Sequence, residues 1–168
     1  MINSNIRMEN QKLLKGIVDP ERIHLVGVNI TNAQVNSLSS DIAGWDELTL
    51  NVASTTSFNQ DYICRLSLIL DMEKLDTDGL KLIKANFSID FDFQIENIME
   101  LIFVEDSTSK VVKASRDLGM SLIAIAYSTT RGIVLTRTAG TVLNGLILPV
   151  VDTAKLLDAS ISNGGHQS

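Results

Sequence analysis

"KANFSIDFDFQIEN", Lys84 to Asn97, is the stretch that decides the fold. Ala85, Phe87, Ile89, Phe91, Phe93 and Ile95 alternate with Lys84, Asn86, Ser88, Asp90, Asp92 and Gln94. A period of two held this long describes a β-strand with one dry face and one wet face. Three of the chain's five phenylalanines lie on the dry face, which therefore needs a large apolar cover. The wet face meets either water or a polar partner.

Upstream, "RIHLVGVNI" (Arg22 to Ile30) is rich in β-branched residues and predicts a first strand. Thr31 to Trp45, "TNAQVNSLSSDIAGW", has no clean period and carries Asn, Ser, Asp and Gly, which predicts a long connection. "ELTLNVASTTSF" alternates Leu48, Leu50 and Val52 with polar neighbours, a second strand. "YICRLSLILD" places Tyr62, Cys64, Leu66, Leu68 and Leu70 on one face, a third. "EKLDTDG" supplies the turn before the fourth, with Asp78-Gly79 at its tip. Short links between successive strands predict an antiparallel meander rather than βαβ units.

Residues 96–117 carry no clear period and read as a loop with a short helix. From Leu118, "LGMSLIAIAYSTTRGIVLTRTAG" predicts a long helix capped by a left-handed Gly140. "TVLNGLILP" reads as an apolar loop closed by Pro149. Asp152 or Thr153 can N-cap a last helix, "AKLLDASI", ahead of the tail "SNGGHQS", which is expected to be disordered. The expected fold is α+β, a single domain over 1–168 with its core at roughly 20–158. It comprises a four-stranded antiparallel meander with a long crossover after strand 1, one long helix and a short C-terminal helix.

On the long helix, Leu118, Leu122 and Ile125 mark one face and Met120, Ile123, Tyr127 and Val134 another. No charge occurs from Leu118 to Ser128. A helix covering a sheet in a monomer shows one apolar stripe and a charged back. Four strands supply one cover, and a second subunit is the simplest other. Met120, Ile123, Tyr127 and Val134 are thus the expected oligomer interface. Gly132 in mid-helix costs about 1 kcal/mol relative to Ala, which a close contact there would offset.

A net charge of −6 argues against nucleic-acid binding, which calls for a basic stripe. The single cysteine, Cys64, excludes an internal disulfide and a thiolate zinc cluster, and fits a buried, inert thiol. The densest apolar run, "LGMSLIAIAY", is well short of the ~20 residues that span a bilayer. With no signal-peptide segment at the N-terminus, the expected location is the cytoplasm, without membrane insertion.

Catalytic signatures are sparse. His24 reads as a strand-face residue and His166 lies in the tail, so no two-histidine metal site forms. Ser107 and Lys110 match S-x-x-K without its companion motifs, and "DTDG" lacks the later ligands of a calcium loop. Asp90 and Asp92 point the same way from a strand, as an acid/base couple would, or as ordinary solvated surface. By elimination the chain reads as a binder, not an enzyme, with no cofactor and no metal.

Three segments together resemble one family, the SecB protein-export chaperones: "GWDELTLNV", "DYICRLSLIL" and "AYSTTRGIVLTRTAGTVLNGLILPVVDTAKLL". They cover roughly residues 20–158 and match in order and spacing. The resemblance implies an ATP-independent holdase that binds unfolded preproteins in hydrophobic grooves, assembled as a homotetramer (a dimer of dimers) with helices between sheets. It puts Leu38, Ile42, Trp45, Tyr127, Leu143, Leu146 and Ile147 on the client groove. Trp45 fits a core plug equally well, and Tyr127 fits helix packing. On the outer sheet face the family docks the basic tail of the SecA motor; Asp90 and Asp92 match, with Asn86 where the family carries an acidic residue. The N-terminal extension, the insertion around "VEDSTSKVV" and the tail "SNGGHQS" depart from the family and bear on the export role. Two rivals stand: a SecB-like chaperone dedicated to a toxin–antitoxin pair, whose client is the antitoxin, and a hotdog-type enzyme or small-ligand binder. Hotdog folds place the long helix before most strands, whereas here it follows four.

Overall fold

The apolar half of the Lys84–Asn97 pattern is the centre of the molecule. Ile83, Ala85, Phe87, Ile89, Phe91, Phe93 and Ile95 are each at most 3% exposed in a computed structural model that describes residues 16–38, 47–59, 61, 63–104 and 112–163. In chain order the elements are β1 (Ile23–Ser37), β2 (Thr49–Phe58), β3 (Cys64–Leu75), β4 (Lys81–Ile95), α1 (Ile98–Leu101), β5 (Ile102–Val104), β6 (Val112–Ala114), α2 (Arg116–Arg137) and α3 (Thr153–Asn163). A 3-10 turn at Pro20–Arg22 leads into β1.

The strands form one antiparallel sheet in the order β1-β4-β3-β2. β2, β3 and β4 make the meander, and the crossover after β1 carries it past both hairpins to the side of β4. Cys64, Leu66, Leu68, Leu70 and Met72 of β3 are fully buried beside the β4 row, as alternation predicts. At the β3–β4 tip, Asp76 Oδ1 accepts from the backbone N–H of Asp78 and of Leu80, and Gly79 takes φ 79°. Tyr62 lies outside the described residues.

β1 is longer than the alternation suggested. The Thr31–Ser37 segment, read as the start of the connection, is strand and pairs with β4 as far as Ser37↔Ile83. Register shifts between Leu25 and Gly27 and between Ile30 and Asn32 leave Val26 and Thr31 as extra residues. Each bulge resets the period of two, so the pattern reads as irregular although the strand is continuous.

α2 begins at Arg116 because Ser115 caps it, its hydroxyl accepting from the N–H of Leu118 at 3.3 Å. Asp117 in the first turn and Arg137 in the last suit the helix dipole. The helix ends at Thr138, whose N–H and hydroxyl both donate to the Val134 carbonyl, and Gly140 takes φ 78° just beyond. Asp152, one of the two caps expected, accepts from the N–H groups of Ala154 and Lys155 and starts α3. Residues 96–117 are more ordered than expected: the described part holds α1 and the small β5–β6 pair.

α2 lies against β3 and β4, and α3 against β2 and α2. Leu118, Leu122, Ile123, Ala126, Tyr127, Thr130 and Val134 make a single buried face. Ile123, Tyr127 and Val134 are therefore core residues of this chain (1%, 3% and 0% exposed) and not a second, outward face. The buried arc is wide because it seats on the sheet and on the loop after α2, whose Leu143, Leu146 and Leu148 are buried too. Met120 is partly exposed. By length and composition α2 could cross a membrane, but here it is the second layer of the core. Its outer face carries the exposed Ala124, Ser128, Gly132 and Leu135, with Asp117 and Arg131 on the same stripe seven residues to either side of Ala124, and a Cβ on Gly132 would meet nothing among the described residues within 4 Å. Among the described residues nothing makes the close contact expected at Gly132.

Candidate functional site

The sheet is wider than its helical cover. Leu25 faces Phe93 and Val28 faces Phe91 across the β1–β4 ladder, so these β1 side chains continue the apolar face of β4. Phe91 and Phe93 are fully buried under the helices, their ring centroids 6.5 Å apart. Leu25 and Val28 are 39% and 44% exposed. β1 is also the edge of the sheet, with one row of backbone N–H and C=O groups that no described strand pairs. Over its fifteen residues it carries no Lys, Arg, Asp, Glu or Pro. Edge strands are ordinarily short or guarded by such residues. Among the described residues its guards are the two bulges.

A second exposed apolar element follows α2. Tyr127 donates its hydroxyl hydrogen to the Pro149 carbonyl at 3.0 Å, and Arg131 Nε donates to the Leu148 carbonyl at 3.0 Å. These two side chains, one turn apart, tie Leu148 and Pro149 to the helix. Leu146 and Leu148 point in, while Ile147 and Val150 point out at 63% and 83% exposure. Burial raises the Tyr127 phenol above its ordinary range, with Arg131 pulling partly the other way.

Of the residues expected on a client groove, Leu38 and Ile147 are at the surface, each 63% exposed. Tyr127, Leu143 and Leu146 fill the chain's own core, since the loop folds back onto α2 instead of standing open. Ile42 and Trp45 lie outside the described residues. The exposed β1 row was not expected, and its only sequence signal, a β-branched run without charge, is shared with buried strands.

The opposite face of the sheet is polar and internally paired. Arg65 Nε and Nη2 donate to the two carboxylate oxygens of Asp92 at 2.7 and 2.8 Å. Arg65 thereby holds the Asp92 carboxyl below the ordinary carboxylate range, chiefly through the hydrogen bond. Ser67 donates to Asp90 at 2.6 Å, and Asn86 bridges Asn32 and Asp71. Asn86, Asp90 and Asp92 do share this face, half-buried among cross-strand partners. Alternation already placed Arg65 on it; pairing with Asp92 needed the β3–β4 register. Behind Asp92, burial pushes the Cys64 thiol up to about 12. Among the described residues no cluster of His, Cys, Asp or Glu could hold a metal ion.

No family model and no curated protein matches the chain. Among solved structures it is similar to the Mycobacterium tuberculosis Rv1957 SecB-like chaperone in complex with a ChAD peptide from the Rv1956 HigA1 antitoxin. The match has 14% identity and a TM-score of 0.49, and covers 79% of this chain and 92% of that chain.

Proposed function

We propose that the protein is an ATP-independent holdase that binds unfolded polypeptide on the uncovered apolar margin of its sheet. The observation that supports this is the exposed Leu25–Val28 row beside the buried Phe91 and Phe93, on an open strand edge without charge. An extended client there gains burial at about 25 cal/mol per Å² and backbone hydrogen bonds that ignore its sequence. Leu38, Ile42, Trp45 and Ile147 remain the candidates for further client contact. The protein acts in the cytoplasm as a homotetramer, in which the small-residue outer face of α2 around Ala124 and Ser128 meets a second copy.

The holding test is suppression of aggregation of a denatured model client without ATP, compared between wild type and Leu25→Ser with Val28→Ser. The double variant keeps the fold, because both side chains are already partly exposed, and loses most of the suppression. Full suppression by the variant rules this surface out.

A client of restricted kind, the antitoxin of a toxin–antitoxin pair, is the second reading, and one observation favours it over general export. Export docking calls for an open acidic face toward the basic SecA tail, and here Arg65 neutralises Asp92. Titration of a SecA tail peptide separates the two: tight binding supports export.

A further inference from the structure

The loop that follows α2 holds an Asn-Gly pair, Asn144-Gly145, close to two buried leucines. Leu143 and Leu146 are 0% and 6% exposed, whereas Asn144 and Gly145 stand at the surface. Asparagine is a chemically labile side chain, and the backbone nitrogen of the following residue is the group that attacks it. Several asparagines elsewhere in the chain are restrained. Asn32, Asn59, Asn86 and Asn97 have their side chains tied by hydrogen bonds, and Asn29 and Asn51 lie in paired strands. Asn144 has neither restraint. Its side-chain amide has no hydrogen-bond partner among the described residues, and nor has the Gly145 N–H.

The turn also dictates the glycine. Gly145 takes φ 81°, a left-handed conformation that L side chains rarely adopt, so the fold keeps the labile pair in place. Without a Cβ, nothing at position 145 crowds the approach of its nitrogen to the side-chain carbon of Asn144. That attack forms an N–C bond and closes a succinimide ring; the glycine nitrogen gives up its proton and the side-chain nitrogen leaves as ammonia. Water then opens the ring at either carbonyl, giving aspartate or isoaspartate. The isoaspartyl product carries the side-chain methylene in the main chain, between Leu143 and Leu146. The brake on the reaction is the Leu146 N–H, which donates to the Leu143 carbonyl at 3.0 Å and closes the turn around the pair.

We propose that Asn144 is a self-modifying site, whose conversion to isoaspartate lengthens the loop and draws Leu146 and Leu148 out of the core. It lies outside the Leu25–Val28 row and is independent of the holding reading. The experiment is ageing of the full chain in mildly alkaline buffer, folded or in denaturant, followed by tryptic mapping and an isoaspartyl methyltransferase assay. Cleavage after Arg137 and Lys155 separates Asn144 from the other Asn-Gly pair, Asn163-Gly164. In the folded chain the 138–155 peptide gains acid and isoaspartyl forms about fivefold more slowly than in denaturant, since the Leu146–Leu143 hydrogen bond must open first. Asn144→Gln abolishes the gain in that peptide. The isoaspartyl fraction, separated by hydrophobic-interaction chromatography, melts below the fresh protein, because Leu146 and Leu148 lose their packing. Asn144→Asp, with the charge but the normal main chain, melts like wild type. A folded chain whose Asn144 stays amide while the denatured chain converts fully overturns the proposal, as does equal melting of the isoaspartyl fraction and Asn144→Asp.

Discussion

Thr130 sits at the centre of α2 with no exposed surface, and its hydroxyl has no hydrogen-bond partner among the described residues. Thr129, Thr136 and Thr138 all donate back to the carbonyl four residues earlier, so the omission is local. An unsatisfied buried hydroxyl is destabilising, and valine has nearly its shape. Thr130→Val should raise stability by about 1 kcal/mol and Tm by about 2–4 °C in calorimetry. Cys64 provides a second residue-level test. With its thiol pushed up to about 12 by burial, it should resist maleimide at pH 7 in the folded protein and react rapidly in denaturant. Fast native labelling, read by mass spectrometry, would contradict the packing of β3 on α2.

Among the elements, β4 was legible because nothing interrupts its period, and the N-cap of α3 was legible because Asp152 has the cap chemistry its position requires, whereas Ser115, the N-cap of α2, was missed and the helix read from Leu118. β1 was not. Its bulges at Val26 and Thr31 turn one strand into an apparent strand and loop, and bulges have no composition of their own. The faces of α2 were misassigned for a related reason. Periodicity gives the spacing of apolar residues but not the width of the seat, and here sheet and loop together bury one broad arc. Ion pairs across strands depend on register, which single-strand patterns do not contain. The Arg65–Asp92 pair carries a pH consequence at this scale. The folded Asp92 carboxyl lies below its unfolded value of about 3.9. Its contribution is present above that value and disappears as pH falls through the folded one. Urea titrations below about pH 4 should show wild type losing stability more steeply than Asp92→Asn.

For the whole molecule, assembly is the decisive measurement. On the proposed assembly, the small residues Ala124, Ser128 and Gly132 on the back of α2 are where a second copy approaches closely. Light scattering on a sizing column should give a tetramer of 18.4 kDa subunits. Ala124→Glu should reduce it to smaller species with little change in secondary structure, because an unpaired charge would be buried between copies but is solvated on one chain. Ile123→Glu cannot make that distinction, since Ile123 is inside the chain's own core. An unchanged tetramer in Ala124→Glu would move the interface away from α2.

The place of β1 in the sheet also sets the order in which the chain can be completed. Of the four strands of this sheet β1 is made first, yet its strand partner among the described residues is β4, the last of the four. β2, β3 and β4 can close as local hairpins, while β1 must wait for the whole meander. During that interval a nascent subunit carries an unpaired, uncharged segment of fifteen residues. β1 is thus the first of the four strands to be made and the last to find its place.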